Sequence, residues 1–156
     1  MISNLRSASG LTIPPPIIYL GALVVACALS YLSPLPFNLD GLGRIIGALF
    51  IVLSIPIMPP VLARFKKMDT PFDVRKGAKV LITDGPFQFS RNPTYVSLTL
   101  LYLGLGLVFD SVWVLILVLP VLIVMNKWVI KREELHLEAV FGDKYLDYKS
   151  TVRRWL

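Results

Sequence analysis

Two groups of polar residues in the second half of the chain combine residue types that could bind a charged small molecule. The first group runs from Val80 to Tyr95 and includes Arg91, Asn92 and Pro93. Asn followed by Pro is typical of a helix start, with Asn at the N-cap and Pro at the first helical position. Free N–H groups at that helix start, beside Arg91, suit a carboxylate or a phosphate. The alternative is that Arg91 only anchors the helix to lipid headgroups.

The second group is Lys131-Arg132-Glu133-Glu134, which follows a long apolar stretch. Two adjacent carboxylates at this point could accept hydrogen bonds from amine or ribose hydroxyl donors, or balance a cationic ligand. In the alternative interpretation they pair with Lys131 and Arg132 in water. His136 is the sole histidine, and with no second histidine and no cysteine nearby we expect no metal site.

Long apolar blocks must position these groups. Hydrophobic residues make up 55% of the chain, against roughly 45–50% apolar residues in soluble domains. Four blocks are long enough to compare with the roughly 20 residues of a membrane helix. They run from about Pro14 to Leu35, from about Leu42 to Ala63, from Pro93 to Phe109, and from Ser111 to about Ile130. The sequence therefore predicts an all-α integral membrane helix bundle with about four transmembrane helices.

The last two blocks are separated only by Asp110 and its neighbours, which predicts an antiparallel helical hairpin. Such a hairpin brings the Arg91 group and the Glu133 group to the same membrane face, so we expect a polar pocket capped by both. The tail from Asp143 to Leu156 has aromatic and apolar residues at spacings of three or four. This amphipathic pattern predicts a lid or an anchor over the pocket. The residues concerned are Tyr145, Tyr148, Val152 and Trp155.

The distribution of basic residues predicts the orientation. Lys and Arg are frequent in the connection between the second and third blocks and in the tail, whereas the opposite connections offer only Asp40, Arg44 and Asp110. Because basic residues favour the cytoplasmic side, we expect a multi-pass protein of the inner (plasma) membrane with both termini cytoplasmic. The net charge of +6 is then explained by anionic headgroups, without nucleic acid. The basic residues are Arg64, Lys66, Lys67, Arg75, Lys76, Lys79 and Arg91 in the connection, and Lys131, Arg132, Lys144, Lys149, Arg153 and Arg154 in the tail.

Around the predicted hairpin, the order of several short motifs resembles the isoprenylcysteine carboxyl methyltransferase and phospholipid methyltransferase superfamily of small membrane enzymes. The resemblance covers about the C-terminal half, whereas the first two blocks match only as hydrophobic helices. The matching motifs are Leu81-Ile-Thr-Asp-Gly-Pro-Phe87, Arg91-Asn-Pro-Thr-Tyr95, Glu133-Glu134, Phe141-Gly-Asp-Lys-Tyr-Leu-Asp-Tyr148 and Val152-Arg-Arg-Trp155.

The resemblance implies methyl transfer from S-adenosylmethionine, bound on the cytoplasmic side, to a lipid-like or prenylated substrate that arrives through the membrane. The chain is then expected to be a single membrane domain with four parts. They are two scaffold spans (1–65), a cytoplasmic connection (66–92), the hairpin (93–130) and a cofactor-binding tail (131–156). Arg91 and Glu134 are implied as catalytic residues. The implied cofactor-binding residues are Val80, Leu81, Ile82, Gly85, Phe87, Asn92, Pro93, Tyr95 and Glu133.

Two departures from the family pattern bear on the acceptor. The usual Arg-His-Pro is Arg91-Asn92-Pro93 here. Isoprenylcysteine enzymes resemble one another in having an arginine four residues before the binding glutamate, for the substrate carboxylate. Here that position is Val129. Nearby cations that could substitute for it are Lys127, Lys131 and Arg132.

The acceptor therefore stays open between an isoprenylcysteine-like carboxylate, a phospholipid amine and another lipid. An alternative from a different class is a non-catalytic membrane protein with the same fold that binds a lipid or a partner helix. Sterol reductases have a similar C-terminal hairpin but are much longer than this chain, so a reductase is disfavoured.

Overall fold

The computed structural model describes residues 13–71 and 79–156, and within these ranges all regular structure is helical. This confirms the predicted all-α helix bundle. Arg75 and Lys76, two of the basic residues considered for the orientation, lie outside the described ranges. The α-helices are α1 (Pro15–Leu32), α2 (Asp40–Ser54), α3 (Met58–Lys67), α4 (Pro93–Val108), α5 (Val112–Val124), α6 (Lys131–Phe141) and α7 (Asp143–Thr151). Short 3₁₀ turns lie at Ile55–Ile57 and Gly85–Gln88, and a π-helical segment at Met125–Ile130.

Three helical stretches of the described chain are long and apolar enough to cross a membrane: Pro15–Leu32, Gly41–Lys67 and Val112–Phe141. The fourth apolar helix, α4, has 16 residues and is therefore about 24 Å long at 1.5 Å per residue. That is shorter than the roughly 30 Å of a hydrocarbon core. Each of the four predicted apolar blocks is thus helical, and the block that begins at Pro93 starts as predicted.

Helices α2 and α4 touch through their backbones at two glycines. A Cβ atom on Gly47 would lie 2.7 Å from the Gly104 carbonyl oxygen, and one on Gly104 would lie 2.8 Å from the Gly47 carbonyl oxygen. Only residues without a side chain allow this approach, which is a common way for membrane helices to gain close packing. The contact fixes α4, whose first turn carries part of the polar group around Arg91.

The predicted hairpin is formed by α4 and α5, with Asp110 in the turn. Asp110 adopts a positive φ of 53°, and its Oδ1 accepts a hydrogen bond from the Phe37 backbone N–H at 2.9 Å. The turn is thereby tied to the connection between α1 and α2. Beyond the turn, one helical path continues through Pro120 and through residue 130 as far as Phe141. Glu133 and Glu134 therefore sit on the continuation of the fourth apolar helix.

Buried side chains form two clusters. One lies inside the bundle and includes Tyr102, Val114 and Met125. The other joins α3 and the segment before α4 to α7, and consists of Val61, Ile82, Phe87, Tyr145 and Tyr148. The second cluster forms the apolar floor of the site described below.

Candidate functional site

A cavity opens at the end of the hairpin where α4 begins and α6 follows the apolar helix. It contains about 790 Å³ of empty space, including its open mouth. All predicted site residues except Gly85 line it, namely Val80, Leu81, Ile82, Phe87, Arg91, Asn92, Pro93, Tyr95, Glu133 and Glu134. The Arg91 and Glu133 groups therefore meet at one end of the hairpin, as the short connection predicted.

Gly85 instead serves the turn before the cavity. Its φ is +62°, and a Cβ atom there would lie 3.0 Å from Arg64 Nε. Arg64 pairs with Asp84 at 2.6 Å, so the guanidinium packs beside the turn. The structure thus gives Gly85 a backbone role at this point, because a positive φ favours glycine.

Glu133 is joined to the first turn of α4. The Tyr95 hydroxyl donates to both carboxylate oxygens of Glu133, at 2.8 and 2.9 Å. A carboxylate held in this way can accept hydrogen bonds from ligand hydroxyls or oppose a cation.

Glu134 is buried, with 5% of its surface exposed, and lies between two arginines. Arg154 donates from Nε to Oε1 at 2.9 Å and from Nη2 to Oε2 at 2.6 Å. Arg91 Nη2 lies 3.0 Å from Oε1. For Glu134, the alternative of a solvated pair with Lys131 or Arg132 is therefore wrong, because its carboxylate is occupied by arginines from other segments.

Arg91 is equally enclosed, with only 9% of its side chain exposed. Besides Glu134 it reaches the Lys149 carbonyl oxygen at 3.5 Å, whereas its Nε is buried and has no hydrogen-bond partner in the described part of the chain. A buried donor without a partner is costly, and Arg91 Nε is such a donor.

Asn92 occupies the N-cap position of α4, but its side chain makes no capping hydrogen bond. The predicted helix start, with Asn92 at the N-cap and Pro93 at the first helical position, is therefore confirmed. The side-chain Nδ2 instead donates to the Arg154 carbonyl oxygen at 3.0 Å, because the tail passes directly over this end of the helix. The amide is therefore used for tertiary contact.

The tail forms a wall of the cavity. Tyr145 and Tyr148 of α7 line it, and the Tyr148 hydroxyl donates to the Phe87 carbonyl oxygen at 2.7 Å. Burial, and then the charge of Glu134, raise the pKa of Tyr145 to about 12. Burial also raises the pKa of Tyr148. Both phenols are thus neutral hydrogen-bonding groups near neutral pH.

Several lining residues were not among the predicted site residues: Phe65, Thr70, Thr94, Leu137, Tyr145 and Tyr148. The amphipathic spacing of the tail was the signal available for the two tyrosines. Nothing in the sequence distinguished Phe65 and Thr70, which α3 and the residues after it bring to the cavity.

The cations considered as replacements at position 129 lie elsewhere. Val129 packs against the bundle core, and the nearby residues Lys127, Lys131 and Arg132 are exposed. They are not among the residues that line the cavity. Within the described ranges, no three His, Cys, Asp or Glu side chains group as metal ligands would.

Comparison with known proteins places these features in a family. The family model described as phospholipid methyltransferase matches residues 42–144, from the first turn of α2 to the first turn of α7. An uncharacterized protein of Haemophilus influenzae is 42% identical over 62 residues, which cover 40% of this chain and 98% of that protein. No solved structure matches.

Proposed function

Because this chain belongs to the phospholipid methyltransferase family, we propose that it transfers a methyl group from S-adenosylmethionine to an amphiphilic acceptor in the membrane. The superfamily resemblance seen in the sequence is thereby confirmed. The observation that carries the proposal is the cavity itself, in which Arg91, Asn92, Pro93 and Tyr95 face Glu133 and Glu134.

The residues present fit such a cofactor. The cavity combines the carboxylate of Glu133, held by the Tyr95 hydroxyl, with the buried guanidinium of Arg91. Apolar walls from Ile82, Phe87 and Leu137 suit a flat heterocycle. When bound, the cofactor supplies an electrophilic methyl group on a sulfonium.

The two carboxylates take different roles in this proposal. Glu133 opposes the positive charge of the ligand or accepts its hydroxyl hydrogen bonds, with Tyr95 fixing the carboxylate. Glu134 is held by two arginines, so we assign it to positioning Arg91 rather than to proton transfer. Catalysis then rests on alignment of the acceptor and exclusion of water, for which the tyrosine-lined tail is suited.

For the acceptor, we propose an amine-bearing or hydroxyl-bearing lipid rather than a prenylcysteine carboxylate. A carboxylate would need a cation at the cavity, and among the described lining residues the only Lys or Arg is Arg91, which we assign to the cofactor. If an amine is the acceptor, it must lose a proton, and Glu133 is the carboxylate at hand.

We also propose that all four apolar helices cross the membrane, with the cavity at the cytoplasmic surface. Helix α4 is shorter than the hydrocarbon core, so its first turn lies at or just below the lipid headgroups. This depth lets an acceptor enter from the bilayer while the cofactor enters from the cytoplasm. The inner membrane and cytoplasmic termini remain part of this proposal.

The first test is binding of S-adenosylmethionine to purified protein in detergent, measured by calorimetry. We expect a dissociation constant below about 1 mM, which is about 4 kcal/mol of binding free energy, and a loss of at least about tenfold in Glu133→Gln. Glu138→Gln is the matched control, because Glu138 lies on the same helix, pairs with Lys149 and is not a lining residue. No binding by the wild-type protein, or equal binding by both variants, would contradict the proposal.

A further inference from the structure

Arg154 is absent from the residues that line the cavity, yet it organises two of them. Its guanidinium forms a two-pronged contact with Glu134, with Nε and Nη2 at 2.9 and 2.6 Å from the two carboxylate oxygens. Arg91 Nη2 contacts Oε1 of the same carboxylate at 3.0 Å. One buried carboxylate therefore serves two guanidinium groups.

The backbone around Arg154 is fixed to the start of α4. The Arg154 carbonyl oxygen accepts from Asn92 Nδ2 at 3.0 Å, and the Arg153 carbonyl oxygen accepts from the Arg91 backbone N–H at 3.0 Å. The next residue, Trp155, donates from its indole N–H to Asn126 Oδ1 at 2.9 Å. The segment 153–155 thus contacts both helices that bear the cavity's charged residues.

The charges in this cluster do not cancel. Arg91 and Arg154 contribute two positive charges and Glu134 one negative charge, so the three together keep one positive charge. Without Arg154, Glu134 would neutralise Arg91 alone and draw its guanidinium toward the carboxylate. With Arg154 present, Arg91 shares the carboxylate, and the three groups keep one positive charge beside the cavity that Arg91 lines.

We propose that Arg154 is a positioning residue for the cofactor site, and this inference rests on the proposed function. It holds the carboxylate of Glu134, so that Arg91 offers a net positive charge to the carboxylate of the bound cofactor. Arg154 itself need not touch the ligand, because its side chain is 36% exposed and it is not among the residues that line the cavity.

The test compares Arg154→Gln with Arg153→Gln in the full-length protein in detergent, using S-adenosylmethionine as the titrant and labelled methyl transfer for kinetics. The two variants lose the same charge at adjacent positions, and the Arg153 side chain is exposed, whereas Glu134 pairs with Arg91 and Arg154. We expect Arg154→Gln to raise the KM for the cofactor at least about tenfold while kcat changes by less than about threefold. Arg153→Gln should match the wild type.

A merely structural role for Arg154 is separated by the double variant Glu134→Gln/Arg154→Gln. If Arg154 acts through Glu134, the losses of affinity in the two single variants do not multiply in the double variant. The inference is overturned if the loss of affinity in the double variant equals the product of the two single losses, or if Arg154→Gln and Arg153→Gln have equal KM values.

If Arg154→Gln fails to fold, Arg154→Lys is the variant that tests the inference. It keeps the charge but not the two-pronged contact, so a KM raised about threefold or more supports the role, and an unchanged KM overturns it.

These outcomes are distinct from failure of the proposed function. Absence of any cofactor binding by the wild-type protein contradicts the methyltransferase proposal. Normal wild-type binding together with an unaffected Arg154→Gln variant contradicts only the role of Arg154.

Discussion

The hydroxyl of Tyr95 lies 2.8 and 2.9 Å from the two carboxylate oxygens of Glu133, a residue 38 positions later in the chain. Between them lies the entire hairpin, so this hydrogen bond closes the loop formed by α4, α5 and the π-helical segment. It is also the point where the polar end of α4 meets α6. The orientation of Glu133 in the cavity therefore depends on α4.

Tyr95→Phe should weaken cofactor binding without unfolding the protein. The variant removes one hydrogen bond to a charged group, which is worth about 1.5–3 kcal/mol. We expect roughly tenfold to hundredfold weaker binding in a calorimetric titration. Tyr31→Phe is the control, since Tyr31 is highly exposed in α1. Unchanged affinity in Tyr95→Phe would show that Glu133 does not need this tyrosine.

Gly104→Ala should destabilise the bundle. The added Cβ atom would lie 2.8 Å from the Gly47 carbonyl oxygen, so α2 and α4 must move apart, and overpacking of this kind costs about 1–3 kcal/mol. The midpoint of thermal unfolding in detergent should fall. The matched control is Gly21→Ala in α1, where a Cβ atom meets nothing within 4 Å. A similar midpoint for both variants would contradict the close contact.

Alkaline pH should destabilise the tail through Tyr145. Its pKa is raised to about 12 in the folded protein, above the ordinary value of about 10. The folded state therefore retains the proton while the unfolded state loses it. The contribution to stability is fully present below pH 10 and is lost as pH rises from about 10 to about 12.

The measurement is the free energy of unfolding in detergent at pH 9 and at pH values above about 10, for the wild type and Tyr145→Phe. The decline in stability over this range should be smaller in the variant, because phenylalanine has no proton to lose. An equal decline in both proteins would assign the effect to other groups.

The proposed orientation predicts opposite labelling of two engineered cysteines. In a Cys27→Ser background, Asn38→Cys lies in the connection between α1 and α2, and Lys144→Cys lies in α7, where residue 144 is exposed. In intact cells a membrane-impermeant maleimide should label the first and not the second. Labelling of both, or of Lys144→Cys alone, would contradict four crossings with a cytoplasmic cavity.

Much of this site follows from local sequence. The short connection at Asp110 was enough to predict that the Arg91 and Glu133 groups meet, because a tight hairpin leaves no other arrangement. The start of α4 at Pro93 likewise followed from the fixed φ of proline. These features depend on residues close together in the chain.

The partners of charged and polar groups were harder to predict. Glu134 has Lys131 and Arg132 as sequence neighbours, yet it pairs with Arg91 and Arg154, since burial on one face of α6 removes it from its neighbours' reach. Asn92 gives its amide to the tail instead of capping α4. Both sets of contacts depend on where the tail packs, and amphipathic spacing alone does not specify that position.

The most direct measurement of the central claim is transfer of a labelled methyl group by the purified protein in liposomes made from bacterial phospholipids. We expect the label to appear in a lipid with the wild-type protein and with Glu138→Gln, and to be at least about tenfold reduced with Glu133→Gln. Label in no lipid with the wild-type protein, while S-adenosylmethionine still binds, would contradict methyl transfer to a membrane lipid. So would equal incorporation by Glu133→Gln and Glu138→Gln.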